Sequence, residues 1–401
     1  MTPRPTSDPD VGGRIRSRRL MRGWSIRFAA SRAGVSHATW SRIERGLQAA
    51  DNRFTLAAVA DALECSPSEL TSAPVPTAGL QALAALAGAD AVRQALIDID
   101  PDEPAEGIAP SVDELSRTVD LAESLHQSCD YAAELRLLPG LLRDLHVETA
   151  GPDSRRAQRL LCMATHTASS VLRSLGLCAD AWLAGERSQE AADSLGDPVL
   201  QAFATYARAG AAVAAGSFQR ALTLAERAAD ELQRYASRPG AAETLGTLQL
   251  MCALASQCMG RLDESRVWSA EAMKLARRTG ESPAMGLHFG PANVDIWRIS
   301  IEVEDGDPGY AVDIALRAGP GAIPYGIRQV FYYADTARAL AALRNRDREA
   351  IRFLLHAERV APQHVHGSAE VRTTVQTLLD RSRLQAGGTE LRALSARMRV
   401  A

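Results

Sequence analysis

The sequence lacks the features that would place the protein in a membrane, in an oxidising compartment or around a metal. No apolar run approaches the roughly 20 residues that a membrane-spanning helix needs. The first ten residues, MTPRPTSDPD, have no apolar stretch of the kind found in secretory signals. The six cysteines form no CxxC pair and no zinc-like spacing with histidine. We therefore expect a cytoplasmic protein, without a membrane partner, whose cysteines are reduced and buried.

Sequence motifs of catalysis are also missing. The chain contains no GxSxG, no HExxH and no glycine-rich phosphate loop after a strand. The GDPG at 306–309 is typical of a turn between helices, and the histidines are scattered. These absences predict a protein that is not an enzyme and that holds no metal and no cofactor.

Lysine is almost absent, because 44 of the 45 basic residues are arginines and Lys274 is the exception. Residues 1–72 contain eleven arginines against seven acidic residues, or +4, which leaves −7 for the rest of a chain with net charge −3. Nine of these arginines lie between Val11 and Leu47, where Glu44 is the only acid. A basic domain joined to an acidic one is typical of a DNA-binding head and a body that does not touch DNA. The length of 401 residues suits two or more domains.

The stretch from Gly23 to Gly46, GWSIRFAASRAGVSHATWSRIERG, predicts two short helices joined by a tight turn. Ser25 and Ser36 can each cap a helix start, since a serine oxygen accepts a backbone N–H that the first turn leaves unpaired. Gly34 can take a positive φ at the corner without a Cβ clash. The apolar positions expected to hold the two helices together are Ala30, Val35, Trp40 and Ile43. This is the helix-turn-helix pattern, whose second helix enters the major groove of DNA.

Further helices are predicted at Val11–Arg22 and Phe54–Glu64, followed by a capped turn at Ser66–Leu70. We therefore predict a disordered N-terminus over 1–10 and a DNA-binding domain over 11–72. Residues 11–70 resemble the Cro-like phage-repressor (XRE) family of DNA-binding domains, most specifically through SRIERG at 41–46. The resemblance implies a lambda-repressor-like fold. It also implies a structural ion pair between Arg19 and Glu44.

The orientation of the second helix predicts which side chains contact DNA. Arg42 suits bidentate bonding to guanine, and His37 can donate to guanine or accept from adenine. For both residues the alternative is an exposed side chain without a base contact. The predicted contacts to base edges are Ser36, His37, Ala38, Thr39 and Arg42, and those to phosphates are Ser25, Arg27 and Arg45.

Residues 73–111 predict a linker region with a short helix from Leu80 to Ile97, because DPDEPAEGIAPS is rich in proline and acidic residues. From Val112 onward the pattern is helical, and a Gly-x-x-x-x-Ala unit recurs between helices. Its forms, spaced by 40, 44, 46 and 39 residues, are Gly176…Ala181, Gly216…Ala221, Gly260…Ser265, Gly306…Ala311 and Asn345…Ala350. The unit resembles tetratricopeptide repeats. That resemblance implies an all-α repeat domain over 112–401, with five to seven helix pairs in a right-handed superhelix with a concave inner face.

Two segments, His288–Arg298 and His356–Val365, resemble parts of a large actinobacterial group of regulators with this head and a repeat-containing body. The resemblance implies transcription regulation. On helical spacing Asn293 and Trp297 share one face, which predicts ligand contacts on the inner surface of the repeats. The alternative is that Asn293 braces a helix turn and Trp297 lies in the core. The complete set of ligand candidates is Asn293, Trp297, Arg298, Arg328 and Tyr332.

Two hypotheses follow. The first is a nucleoid-associated transcription regulator whose head binds a double-stranded DNA operator as a homodimer, since one small head buries too little surface for operator-level specificity. Its repeat domain would supply the dimer contacts and sense a peptide or small-molecule effector. The second is a protein-interaction adaptor, in which the repeat domain binds a partner protein and the head is only a tether. The basic charge around the turn favours the first.

Overall fold

A computed structural model describes residues 11–46, 48, 53–63, 65, 70, 80–100, 107–305, 307–319, 321, 326–382, 388–398 and 400. The predicted disordered N-terminus, most of the predicted turn at 66–70 and Gly306 lie outside these residues. The regular structure of the described residues is helical, apart from one isolated bridge between Ser282 and Phe289. In this part of the chain no helix has the length and apolar character needed to cross a bilayer.

The chain divides into two compact units, Met1–Pro74 and Val75–Ala401. The helices of the first unit are α1 Val11–Met21, α2 Ile26–Arg32, α3 His37–Glu44 and α4 Arg53–Ala62. They share one small core around Ile15, Trp40, Ile43, Val59 and Leu63. Trp40 and Ile43 are buried, as predicted.

The second unit is built from consecutive antiparallel helices. It begins with α5 Leu80–Asp98 and continues as six helix pairs, within the five to seven predicted. The pairs are α6 Val112–Gln127 and α7 Tyr131–Glu148, α8 Ser154–Ser174 and α9 Cys178–Leu195, α10 Pro198–Ala214 and α11 Phe218–Gln233, α12 Ala241–Cys258 and α13 Leu262–Thr279, α14 Pro291–Asp305 and α15 Pro308–Arg317, and α16 Gly326–Ala342 and α17 Asp347–Val360. Three helices follow: α18 Pro362–Gly367, α19 Ala369–Ser382 and α20 Thr389–Met398. The predicted all-α class, a helix-turn-helix domain followed by helical repeats, is confirmed.

The recurring Gly-x-x-x-x-Ala unit forms the corner inside four of the helix pairs, at Gly176, Gly216, Gly260 and, with asparagine in place of glycine, Asn345. At Gly216 φ is 81°, and Ser217 N donates to Ala212 O at 2.8 Å. This bond to the carbonyl five residues earlier satisfies a helix end, and it needs a residue that tolerates a positive φ. Positive φ also occurs at Gly176, Gly260 and Asn345. The fifth residue after the corner is fully buried in every predicted form: Ala181, Ala221, Ser265, Ala311 and Ala350.

The corner between α6 and α7 has the same geometry but a different sequence. Cys129 has φ 58°, and Asp130 N donates to Leu125 O at 2.9 Å. Glu134 occupies the buried fifth position, where the other pairs have alanine or serine, and its Oε1 lies 3.2 Å from His126 Nδ1. The Gly-x-x-x-x-Ala pattern does not detect the helix pair α6 and α7, because Cys129 replaces its glycine and Glu134 replaces its alanine. A buried carboxylate is compatible with the position only because a histidine of the preceding helix faces it.

Helix α5, predicted from the sequence to lie in a linker region, packs within the second unit. Ala89, Val92 and Leu96 belong to the core of that unit. The Arg93 guanidinium also donates to both carboxylate oxygens of Asp180 on α9, at 2.7 and 2.8 Å. The proline-rich and acidic residues after α5 suggested a linker. The small side chains of α5 instead let it lie against α7, and a Cβ at Gly88 would come within 2.8 Å of Leu135 Cβ.

The short helix α18, which follows the last helix pair, contacts the first pair. Tyr131 at the start of α7 has its hydroxyl 2.9 Å from His364 Nδ1 of α18. The neighbouring Gln363 donates to Asp130 Oδ1 at 2.9 Å and accepts from Ala132 N at 3.2 Å. These contacts join positions more than 230 residues apart in the sequence. They cover helix faces that would otherwise lack a neighbour at the ends of a repeat array.

The cysteines of the chain are free thiols. Cys129, Cys162, Cys252 and Cys258 are buried, while Cys65 and Cys178 are half-buried. Burial raises the pKa of the Cys162 thiol to about 11. Such thiols are poor nucleophiles at neutral pH, in line with a packing role.

The pair of His126 and Glu134 makes the stability of the second unit depend on pH. Burial raises the pKa of Glu134 to about 7. Burial lowers the pKa of His126, but the carboxylates of Glu134 and Glu123 more than offset this, and the pKa lies above its ordinary value. Both groups therefore bind protons more tightly in the folded state. Their contribution is fully present at low pH and is lost as the pH rises through 7.

We predict that, relative to Glu134→Gln, the wild type loses roughly 1–3 kcal/mol of its free energy of unfolding between pH 5 and pH 8. Urea denaturation across this pH range measures the effect. The matched control is Glu231→Gln, the same change at an exposed position of α11. An equal pH dependence in the wild type and Glu134→Gln would contradict the assignment.

Candidate DNA-binding interface

The turn between α2 and α3 has the geometry expected of a helix-turn-helix. Ser25 Oγ accepts from Phe28 N at 3.2 Å, and Ser36 Oγ accepts from Thr39 N at 3.0 Å. Both predicted caps are therefore present. Gly34 has φ 65°, and the next residue, Val35, donates to Ala30 O at 3.0 Å. The turn is closed by the same backbone arrangement as the corners of the repeats.

A buried ion pair joins α1 to the recognition helix α3. Arg19 Nε donates to Glu44 Oε1 at 2.5 Å, and Nη2 donates to Oε2 at 2.9 Å. Arg19 and Glu44 are only 6% and 8% exposed, and the hydrogen bonds to Glu44 raise the pKa of Arg19. Arg19 Nη1 also donates to Trp24 O at 2.7 Å, just before α2. The pair implied by the family resemblance is thus present, and it connects all three helices.

Two further contacts at this pair were not foreseen from the sequence. Trp40 Nε1 donates to Glu44 Oε1 at 2.6 Å, so the carboxylate has both a charged and a neutral donor. Gly12 of α1 lies against the end of α3, where a Cβ would come within 2.2 Å of Ile43 O. The spacing of Trp40 and Glu44, one helical turn, is the local signal that could have indicated the first contact. The second depends on the approach of two distant helices and has no local signal.

The residues predicted to contact DNA lie mostly on exposed faces of α2 and α3. The exposed set is Ser25, Arg27, Ser36, His37, Ala38, Arg42 and Arg45. Thr39 is half-buried, and its hydroxyl lies 2.8 Å from Ser36 Oγ, so both hydroxyls already have a partner at the helix start. Arg45 Nε donates to Ser41 O at 3.1 Å. Their contacts with DNA stay predictions.

The charge on the exposed face of α3 depends on the inward orientation of the Glu44 side chain. Glu44 is the only acidic residue between Val11 and Leu47. Because it is buried against Arg19, no carboxylate of this stretch stands beside Arg42 on the exposed face of α3. Within residues 11–46, the face that presents His37 and Arg42 therefore lacks a carboxylate that would repel phosphates.

A group of side chains next to the turn extends the basic surface. The Arg22 and Arg32 guanidinium carbons lie 5.3 and 4.9 Å from the centre of the Trp24 ring, within the range of cation–π attraction. Phe28 packs edge-on against the same ring, at 5.1 Å between centres. Trp24 thereby orders two arginines. Arg32 is eight residues from Trp24, and no helical spacing signals that contact.

The ligand candidates of the second unit separate into two groups. Asn293 is buried and its Nδ2 donates to Leu287 O at 3.2 Å, while Trp297, one turn later, has Arg328 over its ring at 5.6 Å. Arg298 points elsewhere, where its Nη2 donates to the Tyr310 hydroxyl at 2.9 Å. Tyr332 is buried and donates to Ala315 O at 3.0 Å. The structure brings Asn293, Trp297 and Arg328 together and sets Arg298 and Tyr332 apart from them.

The connection at 280–290, between α13 and α14, lies across several helices of the second unit. Phe289 packs on α12 where a Cβ at Gly246 would come within 2.0 Å of its ring. Gln127 of α6 donates to Gly286 O at 3.4 Å, and the next carbonyl, Leu287 O, is the acceptor of Asn293. Two side-chain amides from helices far apart in sequence thus hold consecutive carbonyls of one segment. Met285 and His288 have φ of 58° and 48°, a backbone conformation that non-glycine residues rarely adopt.

Comparison with known proteins supports the first unit. Residues 10–73 match a family model described as a helix-turn-helix domain. No curated protein matches the chain. With the cap geometry and the exposed basic face of α3, this match identifies the N-terminal unit as a helix-turn-helix domain of the type found in DNA-binding regulators.

We predict that Arg19→Ala destabilises the first unit by about 3–5 kcal/mol, because it leaves the Glu44 carboxylate buried beside only a neutral donor. Hydrogen exchange followed by mass spectrometry should show faster exchange in peptides covering 11–46, with the second unit unchanged. Arg16→Ala, an exposed position on the same helix, is the control. Equal protection of α1–α3 in both variants would show that the pair does not hold the domain together.

Proposed function

We propose that the protein is a sequence-specific DNA-binding transcription regulator. The observation that carries this proposal is the exposed face of α3, which presents His37, Ala38 and Arg42 with no carboxylate of residues 11–46 beside them. Arg19 and Glu44 fix this helix from behind. A major groove admits a helix of this kind, and its base edges are read by such side chains. Ser25, Arg27 and Arg45 flank this face and suit phosphate contacts, which position the helix without reading sequence.

The proposed binding unit is a homodimer on a palindromic or direct-repeat operator. A single helix-turn-helix unit buries too little surface for operator-level affinity and specificity, and two linked heads overcome this limit. The repeat domain is the part of the chain with enough surface to supply the dimer contacts. Such a protein works on the bacterial chromosome, which fits a cytoplasmic, nucleoid-associated location.

We predict that Arg42→Ala and Arg27→Ala weaken binding in different ways. Arg42→Ala should cost about 1–3 kcal/mol at one base position and relax the preference there. Arg27→Ala should weaken binding to all sequences alike and lower the salt dependence by roughly one counterion. The operator is first obtained by chromatin immunoprecipitation with sequencing, and both variants are then titrated against single-base operator variants at two salt concentrations.

The same titration tests the competing adaptor role. Wild-type binding that ignores sequence and disappears at moderate salt would indicate that the head is only a tether. Unchanged base preference in Arg42→Ala, with operator selectivity intact in the wild type, would instead overturn the proposed docking of α3 and leave the regulator role standing.

We further propose that the repeat domain, which resembles tetratricopeptide repeats, senses an effector. The support is the way in which Gln127 and Asn293 hold consecutive backbone carbonyls of the segment 280–290. Side-chain amides bind a peptide backbone in the same manner. Unpartnered buried polar atoms nearby, Asn293 Oδ1, Gln127 Oε1 and Trp297 Nε1, offer further hydrogen-bonding capacity. An effector that displaces the segment alters DNA affinity only if it binds one arrangement of the repeats better than the other.

We predict that loosening the segment imitates the effector. The double variant Gln127→Met and Asn293→Leu removes both amides while keeping similar volumes, so hydrogen exchange should accelerate at 281–289. Operator affinity should change by at least about threefold, the scale of a modest coupling energy. The control variant is Gln233→Met, which makes the same glutamine-to-methionine change at an exposed position of α11. Faster exchange without any change in operator affinity would uncouple this segment from DNA binding.

A further inference from the structure

A cavity of about 620 Å³ lies between α13 and the helices α14 and α15 of the next pair. Its volume is within the range of about 300–1,000 Å³ typical of small-molecule sites. One wall is a single face of α13, with Arg266, Met273, Lys274 and Arg277 at helical spacing. The opposite wall comes from α14 and from Tyr310 of α15.

The charged side chains of the lining are mostly basic. Four basic side chains, Arg266, Lys274, Arg277 and Arg298, face the cavity together with one carboxylate, that of Glu302. The lining itself carries four positive charges and one negative charge, and the adjacent carboxylates of Glu271 and Asp295, which pair with Lys274 and Arg298, reduce the local net charge to +1. Such an excess of one sign in a concave site attracts ions of the opposite sign.

Two of the four cations are held in place by the walls. Arg266 Nε and Nη2 donate to both oxygens of Glu302 at 3.1 and 2.9 Å, which connects α13 to α14. Arg298 donates to Asp295 Oδ1 at 3.1 Å and to the Tyr310 hydroxyl at 2.9 Å. Fixed guanidinium groups bind an anion without the full loss of side-chain freedom that a mobile arginine incurs.

The other two cations are more exposed. Lys274 Nζ donates to Glu271 Oε1 at 2.6 Å, and Glu271 is itself open to solvent. The exposed Arg277 side chain makes no hydrogen bond with the described residues, and the nearby carboxylate with which it interacts is that of Asp295. Arg277 is therefore the cation whose donors are available to a ligand.

Most of the surface that lines the cavity is apolar. Ala270 and Met273 of α13 and Ile301 of α14 lie between the charged groups. A bare inorganic anion would leave this surface in contact with water, whereas an anion with an apolar body would cover it. In addition, Lys274 is the only lysine in a chain with 44 arginines, and it lies at this cavity.

We propose that this cavity binds a small organic anion with two or more negative charges and an apolar body, such as a phosphate ester. Arg277 and Lys274 would contact the anionic group together with Arg298, and Met273 and Ile301 would contact the apolar part. This deepens the proposed function by naming the chemical class of an effector. Binding is measured without DNA, so its failure and a failure of operator binding are separate results.

The probe is 1-naphthyl phosphate, titrated into the full chain by calorimetry at constant ionic strength and pH 8. The expected result is saturable binding at one site per chain, at least tenfold tighter than for 1-naphthol and for inorganic phosphate. Equal affinity for 1-naphthol would overturn the role of the cations. Equal affinity for inorganic phosphate would overturn the role of the apolar wall, and the absence of saturable binding would overturn the site.

The sequence offers a closely matched pair of variants. Arg277→Glu reverses the charge at the cavity, and Arg278→Glu makes the same change at the next residue of α13, which is equally exposed and does not line the cavity. We expect at least a tenfold loss of probe affinity in the first variant and less than a twofold change in the second. Equal losses in both would show that the probe responds only to overall charge.

The single lysine allows an independent measurement. Acetic anhydride should modify Lys274 in the free protein, and 1-naphthyl phosphate at saturating concentration should slow this reaction at least threefold, as followed by mass spectrometry. Protection should be lost in Arg277→Glu and kept in Arg278→Glu. Labelling of Lys274 at the same rate with and without saturating probe would place the probe elsewhere and overturn the assignment.

Discussion

The structure depends on one kind of backbone corner, in which a helix ends at a residue with positive φ and the next N–H donates to the carbonyl five residues earlier. It occurs at Gly34 in the helix-turn-helix and at Cys129, Gly176, Gly216 and Gly260 in the repeats. Because the corner reverses the chain direction within two or three residues, the two helices that it joins pack against each other next to the corner. Close contact at that point then requires a small buried side chain or, as at Glu134, a polar group with its own partner.

Buried charge is the second constraint, and the protein uses it to connect helices that are distant in sequence. The Glu44 carboxylate accepts hydrogen bonds from the Arg19 guanidinium of α1 and from the indole N–H of Trp40 on its own helix. In the repeats, Glu304 of α14 accepts from Arg338 of α16 at 2.7 Å, and Asp335 accepts from the same guanidinium at 2.9 Å. Each carboxylate would be costly to bury alone, so these pairs favour one arrangement of the helices over others.

The same constraint separates the roles of the two units. In the first unit the only acid of the basic stretch is turned inward, so the exposed face of α3 carries histidine and arginine. In the second unit several buried acids connect helices, and more basic than acidic side chains line the cavity between α13 and α14. An effector at that cavity would contact both helices that carry the ends of the segment 280–290. That position gives it a physical route to the amides of Gln127 and Asn293.

The sequence by itself determined the local features: the caps Ser25 and Ser36, the turn at Gly34, the burial of Trp40 and Ile43, and the repeat corners at Gly176, Gly216, Gly260 and Asn345 with their small fifth residue. These features depend on neighbours within a few residues, so residue type and spacing specify them. The partner of Arg19 could be predicted from a family resemblance, not from residue spacing.

Only the tertiary structure decided that α5 packs into the repeat core, that Glu134 replaces alanine because His126 faces it, and that Phe289 lies on Gly246. It also decided that Arg298 faces a cavity while Tyr332 is held by Ala315. Each of these depends on contacts between residues far apart in sequence, whose side chains meet only after the helices have packed.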